Sequence, residues 1–162
     1  LANLRWGVGR MPGELPELWG VFLQDLPEEL ESKTGIPSYA EWAIYLALTL
    51  YALHQQGHSL PQDSMHKENV QFGQAVRCLV KTGEKPEDSS VLCRFNALAT
   101  ATTMPDRAQY LRNIVQMLRA ESVPLDYVKL AEDLYWLQGR STAAQVCLRW
   151  GQAYYAVMRE QE

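Results

Sequence analysis

A chain of 162 residues with 47% hydrophobic and 21% charged residues can bury one sizeable core without a disulfide or metal staple. Its net charge of −4 excludes a polycation that coats nucleic acid indiscriminately, and its apolar content excludes a disordered chain. The charge is uneven, however. Glu14 to Glu31 holds six acids and no base, whereas Lys67 to Arg119 holds eight bases against five acids, a basic zone in an acidic protein.

Apolar periodicity is helical nearly everywhere, and no segment alternates as a half-buried strand does. The pattern predicts an all-α fold, a compact bundle of about seven helices. These span about 14–26, 38–55, 69–82, 87–101, 106–121, 127–137 and 141–159. The chain reads as one domain, 1–162, divisible into lobes 1–82 and 86–162 at the turn-rich stretch TGEKPEDSS.

The second helix has a strong start. Ser38 followed by Glu41 forms a capping box, and Gly57 suits the left-handed residue that follows a helix end. Tyr39, Trp42, Tyr45, Leu46, Leu50 and Leu53 cover most of its circumference, which predicts a central helix. The apolar run from Trp42 to Leu53, broken only by Thr49, is too short to span a bilayer. No basic-then-apolar leader opens the sequence, so a soluble, cytoplasmic protein with no membrane partner is expected.

In the fourth helix, RFNALATA, the residues Val91, Leu92, Phe95, Leu98 and Ala99 form a core stripe. Arg94 and Asn96 fall about 40° outside its two edges at 100° per residue. In the fifth, Leu111, Ile114, Val115 and Leu118 make the stripe, with Arg112 and Arg119 together beyond one edge. The sixth opens at Asp126 as N-cap, with Leu125 and Leu130 placed for a hydrophobic staple.

Active-site signatures are lacking. His54 and His58 have i,i+4 spacing and His66 follows, but Gly57 should end the helix between the first two, so no metal site is expected. The pairs Glu132–Asp133 and Glu87–Asp88 are sequence neighbours pointing about 100° apart on a helix. There is neither a Gly-x-Ser-x-Gly elbow nor a Gly-rich phosphate loop. Cys78, Cys93 and Cys147, with no Cys-x-x-Cys pair, read as reduced thiols acting as small core residues. The reading is therefore non-enzymatic, with no catalytic residue and no cofactor. The rim arginines are either an ordinary solvated helix edge or a shallow phosphate-binding face.

The blocks LRWGVGRMPGELPELW, LALTLYALHQQG, VQFGQAVRCLV, RFNALATA, YLRNIVQMLRAESVPLDYVKLAEDLYWL and VCLRWGQAYY occur in order from about Leu4 to Tyr155. Together they resemble the CasB family, the small subunit of the type I-E CRISPR surveillance complex Cascade. The resemblance implies an all-helical, structural subunit in antiviral defence. Two copies would sit beside the guide RNA–target DNA hybrid, contacting the backbone and large subunits of the complex. They would hold the hybrid and the displaced DNA strand (the R-loop) through basic surface residues without reading sequence. Carried over by position, the nucleic-acid-binding candidates are Arg5, Arg94, Arg112 and Arg140, and charge and helix position add Arg77 and Arg119. The competing reading is a helical protein–protein module, with Trp19, Trp136, Tyr154 and Tyr155 as interface aromatics and no direct nucleic-acid contact.

Overall fold

The computed structural model describes residues 1–156, and the expected end of the last helix at 159 lies outside them. Within that span the fold is all-helical, as expected. Eight α-helices occur: α1 (Ala2–Arg5), α2 (Trp19–Phe22), α3 (Tyr39–His54), α4 (Phe72–Arg77), α5 (Ser90–Thr100), α6 (Met104–Ala120), α7 (Tyr127–Leu137) and α8 (Ala143–Ala156).

The central element is α3. Ser38 Oγ accepts the Glu41 amide at 3.1 Å while Glu41 Oε2 accepts the Ser38 amide at 2.7 Å, so the capping box is complete. Eleven of its residues are buried, against α1 and α2 on one side and α6 and α7 on the other. Antiparallel to it runs α7: Tyr51 meets Tyr127 at one end, and Tyr39 meets Tyr135 at the other. Asp126 caps α7 through the amides of Val128 and Lys129.

A second seam joins α4 to α8, where Phe72, Phe95 and Trp150 pack as an aromatic cluster. Gly73 is required there, because a Cβ would collide with the Trp150 carbonyl oxygen. Gly7 plays a similar part for the N-terminal turn. Its carbonyl accepts the Tyr45 hydroxyl at 3.0 Å, and a side chain would meet Tyr45 and Thr49. The principal core draws on α3 through α8, and a smaller one of Leu4, Leu18, Phe22, Tyr45 and Ala52 pins the N-terminal segment onto α3.

Three expected helices are shorter than the periodicity suggests. The segment 14–26 breaks into a 3₁₀ turn at Pro16–Leu18 and the single turn of α2; Leu18 and Phe22 enter the smaller core, and Leu15 and Leu23 pack against it. The segment 69–82 is helical only as α4. Asn69 takes φ 66°, its amide is bound by Asp126 Oδ2, and the Val70 carbonyl accepts the Asp126 amide, so this backbone is spent on α7. The fourth predicted helix begins at Ser90, not 87, because Ser89 Oγ accepts the Leu92 amide and caps it.

The cysteines also depart from expectation. Cys78 and Cys93 are exposed and Cys147 is half-buried; all three are free. Cys93 lies about 160° from the centre of the α5 core stripe, so the helix turns it to solvent.

Candidate nucleic-acid interface

The core residues of α6, among them Leu111, Ile114, Val115 and Leu118, are fully buried and fix which way the helix faces. Gln109, Asn113 and Gln116 point outward. Arg112 and Arg119 are seven residues apart, two turns or about 10 Å along one bank of this outward ridge. Arg112 reaches the N-terminal turn, where its Nη1 stands 3.8 Å from the position of a Cβ on Gly9. Arg5 opens that turn and Arg10 closes it. Arg119 Nη1 donates to Gln56 Oε1 at 3.0 Å, which anchors it at the C-terminal end of α3.

On the other bank stands Arg94, from α5. Its exposed guanidinium is laid against α6, with Nη1 3.7 Å from Met117 Sδ. Met117 is about 140° around α6 from Arg112. The outward ridge of α6 is therefore flanked by Arg94 on one side and by Arg112 and Arg119 on the other. None of these three, nor Arg5, makes an ion pair among the described residues.

The remaining two candidates lie elsewhere. Arg77 ends α4 and sits over the Tyr154 ring, 5.9 Å from its centroid, at the α4–α8 seam. Arg140 is exposed in the turn between α7 and α8. Because α7 is antiparallel to α3, that turn is near Tyr39, the opposite end of α3 from Arg119. Arg149 is taken up by Asp133, 3.1 Å away, whose other oxygen accepts Trp150 Nε1 at 2.7 Å.

Sequence reasoning missed Arg107. It is only 8% exposed, and its Nε donates to the Ala101 carbonyl at 3.0 Å. That carbonyl is at the C-terminal end of α5, where the helix dipole favours a cation. Burial lowers its pKa, and no carboxylate pairs with it among the described residues. Arg107 is a clamp between α5 and α6, which are the two helices carrying Arg94, Arg112 and Arg119.

The histidines have three separate environments. His54 is fully buried, with Nδ1 2.9 Å from the Tyr127 hydroxyl and Nε2 beside the Leu118 and Val123 carbonyls without a well-formed hydrogen bond. Burial, with His58 and Arg119 nearby, lowers its pKa from 6.5 to about 4. His58 Nδ1 pairs with Asp63 at 2.7 Å, and His66 Nδ1 accepts the Tyr127 amide at 3.1 Å. Among the described residues, no three His, Cys, Asp or Glu side chains are grouped to hold a metal ion. Likewise, no described helix is long and apolar enough to cross a membrane.

Of the aromatics named as interface candidates, Trp19, Trp136 and Tyr155 are exposed, but Tyr154 is not. Its hydroxyl donates to the Pro86 carbonyl at 2.8 Å and it belongs to the core.

Comparison with known proteins agrees with this architecture. Comparison with curated proteins gives no match. The structure of CasB from Thermobifida fusca matches with a TM-score of 0.75 and 34% identity, over 95% of this chain and 82% of that one. A CRISPR-associated protein of the Cse2 family from Thermus thermophilus matches with a TM-score of 0.70 and 24% identity, over 96% and 84% of the two chains. The family model for CRISPR-associated protein Cse2 matches residues 1–155. A chain matched over almost its whole length in this way belongs to the CRISPR-associated Cse2 (CasB) family.

Proposed function

We propose that this chain is the non-enzymatic small subunit of a type I-E Cascade complex in the cytoplasm. It contacts nucleic-acid backbone without sequence preference and stabilises the guide RNA–target DNA hybrid and the displaced strand. Its partners are the backbone and large subunits, a second copy of itself, the guide RNA and the DNA strands. Base pairing supplies the specificity in such an assembly, and the protein supplies backbone electrostatics.

The observation that carries this reading is the placement of Arg94 opposite Arg112 and Arg119 across the outward ridge of α6. Guanidinium forks suit phosphate oxygens, and these arginines keep donors free of carboxylates in a protein of net charge −4. Arg5 joins them through the turn that Arg112 touches. Arg77 and Arg140, at other places on the molecule, would meet a different stretch of strand. The test is R-loop formation by the reconstituted complex carrying R94A/R112A. A shorter-lived R-loop with unaltered subunit stoichiometry supports the reading, whereas wild-type R-loop lifetime overturns it.

A further inference from the structure

A trough runs along the seam of α3 and α7, on elements that carry none of the arginines discussed. Ile44, Leu48 and Tyr51 form one wall, and Val128, Ala131 and Tyr135 the other. Two adjoining clefts of about 530 and 260 Å³ make it up, sharing Ile44, Ala131 and Glu132. Its lining is overwhelmingly apolar, yet Val128 is 62% exposed and Trp136, at the far end, 51%. An apolar strip of this kind on a protein surface marks an interaction site.

Two features specify the occupant. First, both walls are helix flanks, whose backbone amides and carbonyls are spent inside α3 and α7. An extended peptide laid here would bury its own amides without partners, at a cost for each one. A helix satisfies its backbone internally and can set side-chain ridges into this groove. From Ala40 to Tyr51 the trough is about 17 Å long, room for roughly three helical turns. Second, Glu132 lines both clefts, is exposed and has no ion-pair partner among the described residues. At the other end Leu30 is flanked in sequence by Glu29 and Glu31, which have no ion-pair partner among the described residues, while Glu28 pairs with Lys33. An apolar floor under an acidic rim fits a basic-flanked partner.

We propose that the α3–α7 trough is a docking groove for an amphipathic, basic-flanked helix of another protein subunit, with a Lys or Arg of that helix at Glu132. This rests on the reading of the chain as a subunit of a larger assembly.

The experiment places a photo-crosslinking benzoylphenylalanine at Val128 or at Leu48 in the full chain, co-purified with the other subunits of its own CRISPR complex. Cross-links to one segment of another subunit, spaced three or four residues apart and next to a Lys or Arg, support the proposal. In parallel, A131R lowers incorporation about tenfold while leaving the thermal midpoint and the low-salt retardation of nucleic acid unchanged. E132K lowers incorporation less. Cross-links to a second copy of this chain, to nucleic acid or to scattered segments overturn the proposal, as does an absence of cross-links or full incorporation of A131R. R94A/R112A leaves this groove intact, so failure of the arginine face and failure of the groove are distinguishable.

Discussion

The Arg94 guanidinium lies 3.7 Å from the Met117 thioether, so an arginine of α5 is held over α6 instead of extending freely from its own helix. The contact is weak as a hydrogen bond, but it directs the arginine and lets its methylenes pack. Its consequence is spatial. Arg94 becomes the opposite bank to Arg112 and Arg119, and the three bracket one ridge.

That bracket depends on α5 and α6 keeping their mutual position, which Arg107 secures. We expect R107M to destabilise the fold by about 1–3 kcal/mol, because the Ala101 carbonyl loses its partner at a half-buried helix end. R107K keeps the charge but lacks the Nε donor and should recover only part of the stability. Urea denaturation measures both, and a wild-type midpoint for R107M would exclude Arg107 as the clamp.

The seam between α4 and α8 admits no side chain at position 73. G73A should cost about 1–3 kcal/mol, since the added methyl drives α4 away from the Trp150 carbonyl and opens the Phe72–Trp150 contact. At this chain length the melting temperature should fall by about 2–4 °C per kcal/mol. Quenching of Trp150 fluorescence would change along with it. G151A, where nothing lies within 4 Å of an added Cβ, serves as the control.

Acid should destabilise the protein through His54. Its folded pKa is about 4 against an ordinary 6.5, so between those values the unfolded chain binds the proton and the folded chain does not. Stability is therefore full above about pH 6.5 and falls as the pH drops, by on the order of 3 kcal/mol at pH 4. Asp126 acts in a lower window. Burial pushes its carboxyl up, but the amides of Asn69, Lys129 and Val128 outweigh that and hold it below its ordinary value of 3.8. Its contribution disappears only as the pH falls through that lowered value. Denaturation curves from pH 7 to pH 4 should lose their slope in H54Q, and an undiminished slope would exclude His54 as the source.

Much of this molecule is legible in the sequence wherever the deciding interaction is local. Ser38 with Glu41 marks the start of α3, and Asp126 with the Leu125–Leu130 pair marks that of α7, because caps and staples act within five residues. The rim position of Arg94 follows from its helix alone. The short α4 does not, since the backbone of Asn69 and Val70 is recruited by Asp126, 57 and 56 residues away in sequence. Burial of Arg107 is legible in the helix alone: four residues before Leu111, it falls inside the stripe of Leu111, Ile114, Val115 and Leu118 at 100° per residue. What the sequence hides is its partner, the α5 carbonyl of Ala101. The pairing of Arg94 with Met117, and with it the two-banked ridge, also requires the packing of two helices.

Whether arginines on the two sides of α6 meet nucleic-acid backbone is decided most directly by salt dependence. The quantity to measure is the affinity of the free subunit for a duplex of arbitrary sequence, wild type against R94A/R112A, over a range of salt concentrations. Removing one phosphate contact reduces the slope of log K against log salt by about 1. A slope shallower by about 2 in the double variant, equal across unrelated sequences and with the fold unchanged, is the predicted result. A slope identical to that of the wild type would contradict a phosphate-binding role for this face.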